Sequence, residues 1–140
     1  RRFGLYISVQ RNFTFPGAKG AAIIAQIMEG FRRDPPRRIG ELPVLEIKDY
    51  GTGVCLSGGQ SLPIQLPSSN VIAYELESGS RVTLRPSGTE PKIKYYFELK
   101  ESLDKDEPLR TARKRSSEKM RRLEEAFIAL ARNRGNLSQV

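Results

Sequence analysis

The residues that could do chemistry are concentrated in one segment, which begins at Arg85 and reads Arg-Pro-Ser-Gly-Thr-Glu-Pro-Lys-Ile-Lys. A phosphate dianion is bound by several donors that converge on it, with positive charge nearby. Ser87 and Thr89 supply hydroxyl groups, and Gly88 allows a backbone N–H to come close to a ligand. Arg85 offers a planar fork for two phosphate oxygens, and Lys94 adds a second positive charge. The segment therefore predicts an anion-binding site.

The alternation of apolar residues predicts that both cations lie on one face of a hairpin. Residues 81–85 and 92–100 read as strands, because apolar side chains occupy every second position in each of them. Arg85 and Lys94 then point away from the core and flank the turn between the strands. The alternative is an ordinary turn, with Arg85 in an exposed ion pair to Glu90 or another acid that contributes only ~0–1 kcal/mol.

The composition argues against several kinds of catalytic site. The 140 residues include no histidine and one cysteine, Cys55. We therefore expect no histidine base, no Ser-His or Cys-His pair, no zinc site and no internal disulfide. Cys55 reads as a small apolar filler. No apolar stretch approaches the ~20 residues of a membrane helix. The chain starts Arg1-Arg2-Phe3, without Met or a signal peptide, and we expect it to be part of a longer protein.

The remaining patterns predict a two-layer α+β domain. Helical spacing of apolar residues predicts two helices, over residues 18–33 and 108–133. Alternation predicts four strands, over residues 44–50, 71–77, 81–85 and 92–100. Short turns between strands favour antiparallel pairing. We therefore expect a mostly antiparallel four-stranded sheet that is covered by the two helices.

Two segments fall outside these predicted elements. Residues 51–70 are rich in Gly, Pro and Ser and read as a long loop. Residues 1–15 read either as an edge strand or as a linker, the remnant of a preceding domain. We place the domain itself at residues 16–140.

The charge distribution leaves a second class of function open. The net charge is +8, and the basic excess lies at the two ends, in residues 1–40 and 108–140. Such segments are typical of solvated helix faces. The alternative is a basic nucleic-acid-binding module built on the two helices, with affinity that falls steeply with salt and maps to residues 110–122.

The segment that begins at Arg85 resembles the phosphate-binding loop in the last domain of the alpha-D-phosphohexomutases, the phosphoglucomutase/phosphomannomutase family. The similarity extends to L-P-S-S-N-V-I-A-Y-E-L (Leu66–Leu76), to Asp49-Tyr50 at a strand end, and to F-T-F-P-G (Phe13–Gly17) before the first helix. Together these segments cover roughly residues 13–100. The resemblance implies the fold of a phosphoglucomutase C-terminal domain.

The resemblance also implies an activity, the transfer of a phosphoryl group between the 1-position and the 6- or 5-position of a sugar phosphate. The substrate would be a glucose or mannose phosphate, with a pentose phosphate as a further option. The family's phosphoserine, Mg²⁺ loop and sugar-recognition loop lie in other domains, and their motifs are absent from this sequence. We therefore expect no catalytic and no metal-binding residue here, and no activity of the chain alone. We expect a cytoplasmic enzyme, the missing domains as partners, and neither membrane nor nucleic-acid binding.

Carried over by position, the resemblance assigns the grip on the substrate phosphate to five residues, Arg85, Ser87, Gly88, Thr89 and Lys94. Many relatives have arginine where Lys94 stands. Lysine keeps the positive charge but loses the planar fork that binds two oxygens at once.

Overall fold

The computed structural model describes residues 4–104 and 106–137. Within these residues the chain forms two α-helices, eight strands and one short 3-10 turn at Glu77–Gly79. In chain order the elements are β1 (Gly4–Thr14), α1 (Gly20–Arg33), β2 (Arg38–Ile39), β3 (Leu42–Asp49), β4 (Val54–Ser57), β5 (Gln60–Pro63), β6 (Ile72–Leu76), β7 (Arg81–Pro86), β8 (Lys92–Ser102) and α2 (Leu109–Arg134).

The strands form one sheet in the order β1-β8-β7-β6-β3-β4-β5, and β2 pairs with β3. All of the pairings are antiparallel. Both helices pack against the same face of the sheet. Every second residue of the central strands is apolar and points to this face. The predicted two-layer α+β fold with an antiparallel sheet and two helices is therefore confirmed, although the sheet has eight strands in the described residues and not four.

The longest strand pairing involves a segment for which the sequence left two interpretations open. β1 pairs with β8 over its whole length, from Gly4 opposite Ser102 to Thr14 opposite Lys92. Ile7, Val9 and Phe13 face the core and the residues between them are exposed. Residues 4–14 thus form an edge strand, while Arg1–Phe3 lie outside the described residues. Where the domain begins stays a prediction.

The prediction of a long loop over residues 51–70 was wrong for residues 54–63. These residues form the hairpin of β4 and β5, joined by Gly58 and Gly59 with φ of +57° and +80°. Both glycines therefore serve a tight turn that other residues rarely adopt. The two strands have only four residues each, and every residue of β5 is exposed, so neither shows the regular alternation of a half-buried strand.

The core lies between the sheet and the helices, around the ring of Phe127. This ring stacks on Phe31 at 5.1 Å and meets the edge of Tyr95 at 5.1 Å, both measured between ring centroids. The two helices approach closely near their C-terminal ends, since a Cβ added at Gly30 would lie 2.6 Å from the carbonyl oxygen of Arg134. This packing fixes α1 and α2 against the sheet and leaves the opposite face of the sheet uncovered by them.

Candidate functional site

The two predicted cations lie side by side on the uncovered face of the sheet. In the register of β7 and β8, Arg85 is directly opposite Lys94. Leu84 and Ile93, their neighbours along the strands, are fully buried on the helix side. Side chains of directly opposite residues share a face of the sheet. Arg85 and Lys94 therefore flank the loop as the alternation of the sequence predicted.

The loop between the two strands is organised by Ser87. Its backbone N–H donates to the carbonyl of Lys92 at 2.8 Å, which closes the hairpin. Its hydroxyl oxygen accepts weak bonds from the backbone N–H groups of Thr89 at 3.4 Å and Glu90 at 3.3 Å. Because the oxygen acts as an acceptor inside the loop, the hydroxyl hydrogen of Ser87 is available to donate to a ligand.

Gly88 lies at the exposed tip of this loop. A Cβ added there would meet no atom within 4 Å, and its φ lies outside the left-handed region. Neither backbone strain nor internal packing therefore requires glycine at this position. What glycine offers here is unobstructed access to the backbone from outside the loop.

The base of the loop is held by the segment that precedes α1. Phe15 donates its backbone N–H to the carbonyl of Pro91 at 2.9 Å. A Cβ added at Gly20 would lie 1.8 Å from the carbonyl oxygen of Phe15 and 2.9 Å from Cβ of Pro91, so only glycine fits there. The segment F-T-F-P-G was part of the family resemblance, but no pattern in the sequence indicated the role of Gly20 or the contact of this segment with the loop.

The ion pairs around the loop do not include the Arg85–Glu90 pair that the sequence left open as an alternative. Glu90 pairs with Lys92, with 3.5 Å between Oε2 and Nζ, and not with Arg85. Among residues 4–104 and 106–137, no carboxylate oxygen lies within 4 Å of a side-chain nitrogen of Arg85 or Lys94. The alternative of an Arg85–Glu90 ion pair was therefore wrong. Two adjacent cations without an acid are an arrangement that favours an anionic ligand.

A family model of the phosphoglucomutase/phosphomannomutase C-terminal domain matches residues 43–112, half of the chain and the whole of the β7–β8 hairpin. The chain belongs to this family. Among similar curated proteins, a phosphoglucomutase of Staphylococcus epidermidis is 43% identical over 88 residues, which are 61% of this chain and 16% of the relative. A phosphoglucomutase of Staphylococcus saprophyticus is 42% identical over 94 residues, 65% of this chain and 17% of the relative. The chain thus matches about a sixth of the length of these curated relatives.

The segment Leu66–Leu76 of this phosphoglucomutase-family domain, which also carries the family resemblance, reaches the same end of the sheet as the loop. β6 begins at Ile72, opposite Leu84 near the end of β7, so the segment before Ile72 borders the loop. Arg32 joins this segment to β3, with Nε 2.9 Å from Oδ2 of Asp49 and Nη2 2.8 Å from Oδ1 of Asn70. Burial raises the pKa of Asp49, but the bonds from Arg32 and from the backbone of Thr52 outweigh it and hold the pKa below its usual value. Asp49 is therefore ionised, and through Arg32 it links the end of β3 to Asn70, in the segment that precedes β6.

The Mg²⁺ that the family resemblance implies does not fit the side chains of this domain. Among the residues that the structure describes, no three His, Cys, Asp or Glu side chains are grouped so that they could hold a metal ion. Asp49, the most constrained carboxylate near the loop, is already bound by Arg32 and two backbone N–H groups.

Three further features concern aromatic residues, the cysteine and the helices. Tyr95 and Phe97 are buried in the core, where they cannot stack on the bases of a nucleic acid. The Cys55 thiol is free, and burial together with Glu46 raises its pKa, so it stays protonated at neutral pH. No helix of the described residues is long and apolar enough to cross a membrane.

The basic residues of α2 that were considered for nucleic-acid binding are in part paired with acids. Lys119 contacts Glu101 at 2.7 Å, and Arg121 contacts both Glu118 and Glu125. These pairs reduce the charge that the helix could offer to a phosphate backbone. Part of the basic charge of residues 110–122 is therefore compensated by nearby acids, and nucleic-acid binding stays an untested alternative.

Proposed function

We propose that the loop between β7 and β8 binds the phosphate group of a sugar phosphate in an enzyme of the phosphoglucomutase/phosphomannomutase type. The observation that carries the proposal is the pair of cations, Arg85 and Lys94, directly opposite each other beside a Ser-Gly-Thr turn and without an acid among the described residues. Like charges directly opposite each other destabilise a sheet, and a bound dianion removes that repulsion.

Each of the five residues has a distinct role in this proposal. Arg85 binds two phosphate oxygens through its planar fork. Ser87 donates its hydroxyl hydrogen to the phosphate while its oxygen accepts the two N–H bonds within the loop. The hydroxyl of Thr89 donates a second hydrogen bond to the phosphate. Gly88 has no side chain to shield its own backbone N–H at the tip of the loop, which can therefore donate to the ligand. Lys94 contributes charge without the geometry of a fork, and is therefore the weaker of the two cations.

The full reaction that we propose for the enzyme is the interconversion of hexose 1-phosphate and hexose 6-phosphate, an isomerisation through an intramolecular phosphotransfer. The similar proteins described above are phosphoglucomutases, which favours glucose phosphate over mannose phosphate. The phosphoserine, the Mg²⁺ and the sugar-recognition loop belong to other domains of the enzyme, which we place in the cytoplasm. The 140-residue chain alone then shows no turnover of glucose 1-phosphate, and measurable turnover would contradict this part of the proposal.

An amide NMR titration of the chain with glucose 1-phosphate tests the binding role, with unphosphorylated glucose as the control ligand. We expect shifts confined to residues 85–94 and their neighbours in the sheet, and no shifts with glucose. A single domain contributes only part of an active site, so we expect a Kd near ~1 mM, equivalent to about −4 kcal/mol. Equal responses to both ligands, or shifts that map to α2 instead, would contradict the proposal.

A further inference from the structure

The row of side chains that begins with Arg85 and Lys94 continues onto the edge strand. In the register of β1 and β8, Asn12 is directly opposite Lys94. Asn12 is exposed, and the residues on either side of it, Arg11 and Phe13, face the helices instead. Arg85, Lys94 and Asn12 therefore lie in one line across three strands, on the face that the helices leave uncovered.

The amide of Asn12 is oriented by a neighbour on the same strand. Nε2 of Gln10 donates to Oδ1 of Asn12 at 2.9 Å. Because Oδ1 of Asn12 accepts this bond, its Nδ2, with two N–H groups, is the donor end that Asn12 can offer to a ligand. A ligand beside Lys94 would thus meet a neutral donor with a defined direction.

The distance across the strands separates Asn12 from the anion site itself. Neighbouring strands lie about 4.8 Å apart, so the backbones of Arg85 and Asn12 are about 10 Å apart. The long side chains of Arg85 and Lys94 can both reach a phosphate beside the loop, but the short side chain of Asn12 cannot. Whatever Asn12 contacts is therefore a part of the ligand other than the phosphate.

The next row of the same face has a matching character. It consists of Gln10, Tyr96 and Thr83, which are neutral, carry hydrogen-bonding groups and include one aromatic ring. Acidic residues on this face of β7 and β8 begin only one row further from the loop, at Glu98 opposite Arg81. A neutral, hydroxyl-rich group that extends from a bound phosphate fits Asn12 and the row of Gln10, Tyr96 and Thr83.

We propose that Asn12, oriented by Gln10, donates a hydrogen bond to the sugar part of the phosphorylated ligand and so distinguishes a sugar phosphate from phosphate alone. The proposal rests on the phosphate-binding function of the loop. It assigns a specificity role to the edge strand, whereas the loop supplies charge and anion geometry.

The test compares two ligands on variants of the full 140-residue chain, with binding followed by amide NMR. Loss of one hydrogen bond from Asn12→Ala should raise the Kd of glucose 1-phosphate about threefold to tenfold. The Kd of inorganic phosphate should change by less than about twofold, because the two cations and the loop are intact. Ser8→Ala is the matched control, since Ser8 lies on the same face of β1 but opposite Glu98, two rows further from the loop.

Three outcomes would separate this proposal from the function on which it rests. An unchanged Kd of glucose 1-phosphate in Asn12→Ala would overturn the role of Asn12. Equal weakening of both ligands would also overturn it, because Asn12 would then belong to the anion site. Arg85→Ala should weaken both ligands, and its failure to do so would contradict the proposed function itself. An amide spectrum of each variant in the absence of ligand verifies that the edge strand remains paired.

Discussion

Two arginines of the same strand, on the same face and four residues apart, have opposite surroundings. Arg81 lies opposite Glu98 and donates from Nε to Oε1 of Glu75 at 2.5 Å. Arg85 lies opposite Lys94 and has no acid within 4 Å among the described residues. The cation at one end of β7 completes an ion-pair network, and the cation at the other end repels its cross-strand neighbour.

This difference shows that the partner across the strands, and not the residue type, indicates which cation is available to a ligand. A surface pair such as that of Arg81 contributes little to stability but compensates its own charge. Arg85 opposite Lys94 is a like-charge pair, which is destabilising in a sheet, and under the proposed function a bound phosphate compensates it. A count of basic residues cannot make this distinction.

The largest effect that we expect is on stability, far from the loop. Glu101 accepts hydrogen bonds from Lys119, at 2.7 Å, and from Ser116, and its side chain is only 10% exposed. Glu101→Ala would leave both donors without their acceptor at the interface of β8 and α2, and should cost about 1–3 kcal/mol of the free energy of unfolding in urea. Glu118→Ala on the exposed side of α2 is the control and should change it by less than about 0.5 kcal/mol. A comparable loss in both variants would contradict the structural role of Glu101.

Acid should weaken the same cluster to a smaller extent. Burial raises the pKa of Glu101, but the hydrogen bonds from Lys119 and Ser116 outweigh it and hold the pKa below the value of 4.5 for an unperturbed glutamate. A group with a lowered folded-state pKa stabilises the fold above its unfolded value, and this stabilisation is lost as the pH falls through the folded value. The melting temperature should therefore fall as the pH decreases below about 4.5.

Glu101→Gln isolates the contribution of this one carboxylate to acid sensitivity. The variant has no ionisable group at the position, so its melting temperature should fall less between pH 7 and acid than that of the unmodified chain. Both proteins are scanned in the absence of ligand, since the charge of a phosphate ligand also changes with pH. Identical decreases in the two proteins would show that other carboxylates, such as Asp49, dominate the acid response.

Lys94→Gln should act on stability and binding in opposite directions. Removal of the charge relieves the repulsion of Arg85 and should leave the free energy of unfolding unchanged or raise it by up to about 0.5 kcal/mol. The Kd of glucose 1-phosphate should rise about fivefold, because the phosphate then contacts one positively charged side chain and not two. Lys94→Arg keeps the charge and should retain the affinity. A clear loss of stability in Lys94→Gln would mean that Lys94 has a structural partner.

The sequence predicted the local features of this site and missed those that depend on distant partners. The shared face of Arg85 and Lys94 follows from alternation within two adjacent strands, so the hairpin needed no further information. The pairing of β1 with β8 joins Asn12 to Lys94, more than eighty positions along the chain, and no local pattern in either strand specifies it. The role of Gly20 was missed in part for the same reason, because one of the groups that exclude a side chain there is the distant Pro91, while the other is the nearby carbonyl of Phe15.

The most direct test of the central claim compares Arg85→Ala with Arg81→Ala in titrations of the full chain with glucose 1-phosphate. Both variants remove one arginine from the same face of the same strand, and both should remain folded because each side chain is exposed. Arg85→Ala should raise the Kd at least about tenfold, equivalent to about 1.4 kcal/mol, and Arg81→Ala should change it less than about twofold. Equal effects of the two substitutions, or no effect of Arg85→Ala, would contradict the assignment of Arg85 as the arginine that binds the phosphate.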